Sequence, residues 1–438
     1  MLAHLLAWRD TTERLRRNAT QTRGDLQADR LTRFRALIMH AGQHSSYYAA
    51  ILRERHLDPG TCVPTDFPVL TKRLVRDHLD AIATDPRITR AALDAFLRDN
   101  PAPEARYLDE YVVLHSSGTS GEVGTMVYAG VDWVRATAGL ARATSAEEPR
   151  FAFHGACGGH FAGVSFALAA QLHPSPPELL ILDVQRPLHD VVNSLNVFQP
   201  DILSAYPSGA TTLAGEAVAG RLHIRPRAIH CSGETLTTAQ HATIEAAFGC
   251  PCLNLYAATE TGLLGASRSG DPGMTLFDDD VIIEPAGDHL LVTPLHSRAL
   301  PLIRYRLDDE VRWTDHRSPY GPYPVVEPLV GRSECAPRFR GLDGALHAIS
   351  PHVINEIHVP RLARFQFRQV DERSFQFAVC LDRDATGATV LAIEARLHAI
   401  LSAQALDHVR CTVTVVADLP VDPTSGKFRL ITLAQPLP

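Results

Sequence analysis

Residues 201–260 read DILSAYPSGATTLAGEAVAGRLHIRPRAIHCSGETLTTAQHATIEAAFGCPCLNLYAATE. Three β-type runs, DILSAYP, RAIHCSG and CLNLYAA, alternate with two stretches of helical spacing, TLAGEAVAGRL and TTAQHATIEAAFG. Apolar runs of roughly four to eight residues bounded by turn residues read as buried strands. Strands that alternate with helices of this length form βαβ units, and βαβ units build a parallel sheet. Upstream, YVVLHSS, RFAFHG and ELLILD continue the alternation. The expected fold class is therefore α/β.

Further out the pattern changes on both sides. Residues 1 to about 100 have helical spacing with few strands, and FPVLTKRLVRDHLD places a helix start at Thr71. Downstream, DVIIEPAGDHLLVTPL within about 275–315 reads as strand, turn and strand, a smaller antiparallel part. After the proline-rich SPYGPYPVVEPLVGR come a hairpin (FQFRQVDERSFQFAVCL), a helix (TVLAIEARLHAILSAQAL) and a strand (VRCTVTVVADLP). That tail is long enough to fold as a compact α+β domain. No internal repeat or low-complexity segment interrupts the chain.

Composition narrows the function classes. The chain has 438 residues, 45% hydrophobic and 21% charged, so more than one globular core is expected. A net charge of -7 gives no global field that draws the protein to nucleic acid. The basic run Arg14–Arg17 reads as a solvated helix face. The apolar opening of MLAHLLAWRDTTERLRR lasts eight residues and lacks a basic lead, so it reads as an amphipathic helix rather than an export signal. No apolar run is long enough to span a bilayer, and a cytoplasmic protein is expected. The eight cysteines are scattered without a C-x-x-C pair and read as reduced core residues. His154, Cys157 and His160 in FHGACGGHF approach metal-ligand spacing. The neighbouring glycines favour a substrate-pocket wall, with His154, Gly158, His160 and Tyr206 as its candidates.

Two short segments carry chemistry. HSSGTSGEVGTMVY, from His115 to Tyr128, follows the strand YVVL and gathers Ser116, Ser117, Gly118, Thr119, Ser120 and Gly121. Clustered backbone N–H groups and hydroxyls of this kind cradle phosphate. It is neither a P-loop, since the lysine is missing, nor a G-x-G-x-x-G dinucleotide loop. The second segment is DPTSGKFRL, residues 422–430. Of 42 basic residues, the lysines are Lys72 and Lys427. Lysine offers a compact ammonium that meets a developing charge as a point, which arginine's planar fork does not.

Four stretches taken in order resemble the adenylate-forming (ANL) superfamily. HSSGTSGEVG resembles its phosphate loop, YAATE (Tyr256–Glu260) its aromatic-x-x-Thr-Glu motif, IRYRLDDEV its Tyr-Arg-Thr-Gly-Asp motif and PTSGKFR its C-terminal Gly-Lys motif. FPVLTKRLVRDHL, AYPSGATTLA, HCSGETLT, RYR and GRSE are similar to the phenylacetate–CoA ligase branch. The resemblance implies a large N-terminal domain with mainly parallel sheets over 1–331, holding the ATP and acid site. It implies a small mobile α+β C-terminal domain over 332–438, joined by a hinge near Glu334. It further implies activation of a small, aromatic carboxylic acid by ATP, with pyrophosphate released, and acyl transfer to coenzyme A, another thiol or an amine. On this basis Glu260 holds Mg²⁺, Thr259 bonds the α-phosphate and Tyr256 stacks near adenine. Ser232, Gly233 and Glu234 border the adenine pocket, Asp309 accepts the ribose hydroxyls and Arg332 lies near ribose and phosphate. Lys427 bridges the acid and the phosphate during adenylation. A homodimer is compatible with the branch.

Departures keep a second reading open. Glu122 stands where the phosphate loop usually has lysine, and Asp308 replaces the motif glycine. A carboxylate beside a triphosphate is repulsive unless it faces solvent or helps hold Mg²⁺. The alternative is a catalytically weakened relative that binds a nucleotide or acyl ligand as a partner protein.

Overall fold

The computed structural model describes residues 2–115, 124–142, 150–157, 159–184, 186–287, 289–329, 336–349, 354, 357, 359, 361–381, 385–421 and 428–433. The chain forms two compact units, Met1–Leu307 with Val311–Pro328, and Asp308–Glu310 with Leu329–Pro438.

The first unit opens with helices α1 (Leu2–Asn18), α2 (Arg23–His44) and α3 (Ser46–Glu54), followed by the short α4 (Lys72–Asp77), α5 (Leu79–Ile82) and α6 (Arg90–Asp99). Their starts follow local chemistry. Thr22 and Asp25 form a capping box on α2, and Thr71 caps α4 by accepting Leu74 N–H. Strands β1 (Tyr111–His115) and β2 (Thr125–Ala129) pair antiparallel, with His115 opposite Thr125.

The α/β core follows. Its elements are α7 (Gly130–Ala138), β3 (Arg150–Gly155), α8 (Ala162–Ala169), β4 (Glu178–Asp183), α9 (Leu188–Phe198), β5 (Ile202–Ala205), α10 (Pro207–Val218), β6 (Ala228–Ser232), α11 (Thr238–Phe248) and β7 (Cys252–Ala258). Proline begins α10, where its missing N–H costs nothing. A Thr237–Gln240 box opens α11, and Gly249 closes it in the left-handed region. Strands β4, β3, β5, β6 and β7 lie side by side and parallel.

The α/β expectation thus holds, but the sheet is mixed. Beyond β7 it continues antiparallel through β8 (Gly262–Arg268) and β9 (Met274–Leu276). A three-stranded antiparallel sheet of β10 (Val281–Ala286), β11 (His289–Pro294) and β12 (Tyr305–Leu307) follows. The two-residue strands β13 (Trp313–Thr314) and β14 (Val325–Val326) finish the nine-stranded sheet. Leu182, Leu203, Ile229, Cys231, Leu213 and Ile244 fill the space between sheet and helices.

Buried charge fixes the N-terminal helices to this unit. Asp278, Asp279 and Asp280 follow β9. Arg23 and Arg30 bind the Asp278 carboxylate. Asp279 accepts from Arg142 at 2.5 Å, Asn18 at 2.9 Å and Tyr323 at 3.1 Å. Asp280 meets Arg33 at 2.6 Å and Arg14 at 2.7 Å. Arg14 therefore corrects the reading of its run as a solvated face: Arg16 and Arg17 are exposed, while Arg14 turns inward. Burial opposes the Asp280 charge, yet Arg33 and Arg14 outweigh it and hold its carboxyl well below the usual range.

The second unit has a different core. It contains a small antiparallel pair, β15 (Arg338–Arg340) with β16 (Leu346–Ala348), and a hairpin of β17 (Leu362–Asp371) with β18 (Ser374–Leu381). Helix α12 (Gly387–Ala403) crosses to β19 (Arg410–Val415), parallel to β18, and β20 (Ile431–Thr432) runs parallel to β17. Phe339, Phe365, Phe367, Phe375 and Phe377 pack with Ile393, Leu397 and Leu401. Each such side chain contributes about 1.5–3 kcal/mol by burial.

Candidate active site

Parallel strands send their following loops from one edge of the sheet. His154 lies beside Ala205, Ala205 beside Cys231, and Ser232 beside Leu255. Residues 156–157, 206–208, 233–234 and 259–260 consequently follow the carboxyl ends of β3, β5, β6 and β7. Open α/β sheets bind ligands at that edge.

The turn between β7 and β8 is tightly built. Thr261 N–H donates to Ala258 O at 3.2 Å. Gly262 follows at φ +80°, and a Cβ there would lie 2.9 Å from Ala136 O. Only glycine fits a left-handed residue pressed against a backbone carbonyl. The Tyr128 hydroxyl donates to Thr259 O at 2.7 Å, and the Tyr305 hydroxyl donates to Glu260 Oε1 at 3.2 Å. Glu260 is 5% exposed. Among the described residues, no arginine, lysine or histidine forms an ion pair with it. Burial first, then the Glu260 and Asp132 charges, push the Tyr128 phenol well above its ordinary range, so it remains a donor.

The neighbouring loops interlock. Gly233 has φ +82°, and Glu234 beyond it accepts from Ser208 N and Ser208 Oγ, both at 3.0 Å. A carboxylate there complements the positive end of α10. Tyr206, the residue before α10, accepts Ala156 N–H at 3.2 Å, and burial pushes its phenol up to about 12. Cys157 N–H donates to Asp183 at 3.1 Å, and burial pushes the Cys157 thiol up to about 12. His154 sits inside β3, with Nδ1 buried and unpartnered, and burial lowers it to about 4. A Cβ on Gly209 would lie 3.2 Å from that nitrogen. His160 is placed differently. Its ring nitrogens face Val113 O at 3.0 Å and Asn100 O at 2.7 Å, so it ties β1 to the end of α6 and offers a ligand neither nitrogen.

The structure therefore gathers Tyr256, Thr259, Glu260, Ser232, Gly233, Glu234, Tyr206 and His154 along one sheet edge. Asp309 follows β12 and belongs, with Asp308 and Glu310, to the second unit. Ser116–Gly121, Glu122, Gly158, Arg332, Glu334 and Lys427 lie outside the described residues. The flanks of two of these segments are described: β1 and β2 bracket 116–123, and Val421 bridges Phe428 on either side of 422–427. No group of three His, Cys, Asp or Glu among the described residues could hold a metal alone. No helix among them is long and apolar enough to cross a membrane. The described cysteines are unpaired thiols. Sequence reasoning missed Tyr128 and the bond that Tyr305 makes. Both tyrosines stand in motif stretches, but their partners are distant in sequence.

Comparison with solved structures finds the same architecture in known proteins. A 2-hydroxyisobutyryl-CoA ligase, solved in the postadenylation state with R3-HIB-AMP, superposes with a TM-score of 0.73. The match covers 96% of this chain and 92% of that one at 17% identity. The chain has the fold of that CoA ligase. NpsA of Klebsiella oxytoca, solved with 3-hydroxyanthranilyl-AMSN, matches over 73% of this chain and 68% of its own at 13% identity, with a TM-score of 0.51. Among curated proteins, indoleacetate–lysine synthetase of Pseudomonas savastanoi is 32% identical over 122 residues, 26% of this chain and 30% of that protein. Protein CapK of Staphylococcus aureus is 29% identical over 128 residues, 27% of this chain and 28% of that protein. The chain thus spans under a third of the curated relatives it matches. No protein-family model matches it.

Proposed function

We propose that this protein is an ATP-dependent acid ligase that activates a small, aromatic carboxylic acid as its acyl-adenylate. The observation that carries this reading is the buried Glu260 carboxylate, uncompensated by any described cation, at the ligand edge of a ligase-fold sheet. A carboxylate with no basic partner suits a hard cation that also takes water and phosphate oxygens. Mg²⁺ held there would offset phosphate charge during the transfer.

The chain's own groups then have distinct tasks. A substrate carboxylate oxygen attacks the α-phosphorus, and the bond from that phosphorus to the pyrophosphate oxygen breaks. Thr259 donates to an α-phosphate oxygen. Ser116, Ser117, Thr119 and Ser120, with Gly118 and Gly121, cradle the outer phosphates. Tyr256 stacks on adenine beside Ser232, Gly233 and Glu234, and Asp309 and Arg332 take the ribose side. Lys427 supplies an ammonium between the two reacting anions. Positioning and electrostatics of this kind dominate phosphoryl chemistry. Tyr206, His154 and Gly158 are assigned to the wall of the acid pocket, and His160, whose ring nitrogens face Val113 O and Asn100 O, supports β1 beside it instead. We assign residues 332–438 to a small domain that moves between half-reactions about Glu334, with a homodimer as one assembly.

An acceptor then displaces AMP. A thiol, such as that of coenzyme A, parallels the CoA ligase neighbour, and an amine parallels the partial match to a synthetase named for joining indoleacetate to lysine. The binding-protein alternative rests on Glu122. Pyrophosphate release with ATP, Mg²⁺ and a panel of acids separates the two. Acid-dependent release supports the ligase, and ATP binding without release with any acid supports the alternative. Product masses with coenzyme A and with lysine then identify the acceptor class.

A further inference from the structure

Three stretches of the proposed nucleotide site are far apart in sequence. The phosphate-loop segment ends in Tyr128, the metal turn contains Thr259 and Glu260, and Tyr305 precedes the Asp308–Asp309 pair. Two phenols join the outer stretches to the turn. Tyr128, on the strand after the loop, donates to Thr259 O at 2.7 Å, and Tyr305, on β12, donates to Glu260 Oε1 at 3.2 Å. Both rings are buried, at 1% and 2% exposure. Tyr128 is itself wedged between Trp133 and His296, with ring centroids at 5.4 and 6.3 Å. Tyr305 is fixed along its backbone, because Leu70 N–H donates to Arg304 O at 3.1 Å and Arg306 N–H donates to Leu70 O at 2.9 Å.

We propose that Tyr128 and Tyr305 are positioning residues that lock the Thr259–Glu260 turn for a divalent cation–nucleotide complex. This inference rests on the proposed function. A neutral phenol suits the task better than an arginine. It holds one carboxylate oxygen in place, leaves Oε2 for a cation, and does not cancel the charge the cation needs. The Tyr128 bond acts on the backbone, setting the orientation of the residue that carries the carboxylate. The same two bonds tie the strand after the phosphate loop and the strand before Asp309 to one turn.

The test is Mn²⁺ binding to the full chain in the presence of ATP, followed by electron paramagnetic resonance and by calorimetry. Tyr128→Phe and Tyr305→Phe keep the rings and remove the donors. Loss of a group that orients a metal ligand weakens metal affinity roughly 10- to 100-fold, and each variant should fall in that range. Tyr323→Phe is the control, since it removes a buried hydroxyl from Asp279 instead. It should lower the unfolding midpoint and leave Mn²⁺ affinity unchanged. Wild-type Mn²⁺ affinity in both folded phenylalanine variants would overturn the inference while leaving the ligase reading intact. An equal loss of affinity in Tyr323→Phe would also overturn it, because general loosening would then account for the effect. A wild-type chain that binds no Mn²⁺ with ATP would overturn the ligase reading and this inference together.

Discussion

Glu260 and Asp279 are both buried carboxylates of the first unit, at 5% and 1% exposure, yet their surroundings are opposite. Asp279 has Arg142, Asn18 and Tyr323, and its neighbours Asp278 and Asp280 take Arg14, Arg23, Arg30 and Arg33. Glu260 has a phenol. Charge that is paired with buried arginine holds elements together. Charge that is buried and left with a neutral donor is poised for something that arrives from solvent. The contrast supports the proposed assignment of Glu260 as a metal-holding acid, without reference to any relative.

The largest effect expected is on the structural side. Asp279→Ala would leave Arg142 buried without its carboxylate. Breaking a buried pair from one side costs about 3–5 kcal/mol, read as a lower midpoint in urea unfolding. Glu260→Gln should do the reverse, since it strands no cation. Metal-dependent pyrophosphate exchange should fall about 100-fold or more, by analogy with loss of one transition-state electrostatic contact, while the unfolding midpoint stays close to wild type. A large stability loss in Glu260→Gln would break the contrast.

Lysine and arginine extend the comparison. The arginines around Asp278–Asp280 hold their partners permanently, whereas the role given to Lys427 requires a charge that engages and releases. Lys427→Ala should cut adenylation about 100-fold and leave transfer from supplied acyl-adenylate largely intact. Equal loss of both steps, measured separately, would count against that role.

The smallest effect concerns buried neutral groups. Burial lowers His154, His230 and His296 to about 4. Their unfolded forms bind protons below the ordinary histidine pKa of about 6.5 while the folded forms do not. Stability should therefore fall as pH drops from about 6.5 to 4. Asp280 adds to the loss only at lower pH, because its folded carboxyl stays ionised below the unfolded value. His230→Leu should flatten the upper part of this slope by up to about 1 kcal/mol per pH unit, read from urea unfolding at several pH values.

Much of the architecture is legible in local sequence. Alternating apolar runs and caps locate β3–β7, α10 and α11. The β10–β11 and β17–β18 hairpins, α12 and β19 are equally visible, because each depends on neighbours in the chain. What local reasoning loses is long-range pairing. GLLGASR gave no sign that β8 would turn the sheet antiparallel, since strand direction is set by the partner. Nothing near Arg14 announces Asp280, so the run was expected to be solvated. The same limit hid Tyr128, whose acceptor is the backbone carbonyl of Thr259. The site was legible as motifs in order. Of these stretches, AYPSG, HCSGE and YAATE come together at one sheet edge through the parallel pairing of β5, β6 and β7, a tertiary fact.

ATP–pyrophosphate exchange with a panel of aromatic and small aliphatic acids, with and without Mg²⁺, tests the central claim most directly. Exchange that requires both one acid and Mg²⁺ is the predicted result, and it would name the substrate class. ATP binding without exchange for any acid would contradict the ligase and leave a nucleotide-binding partner protein in its place.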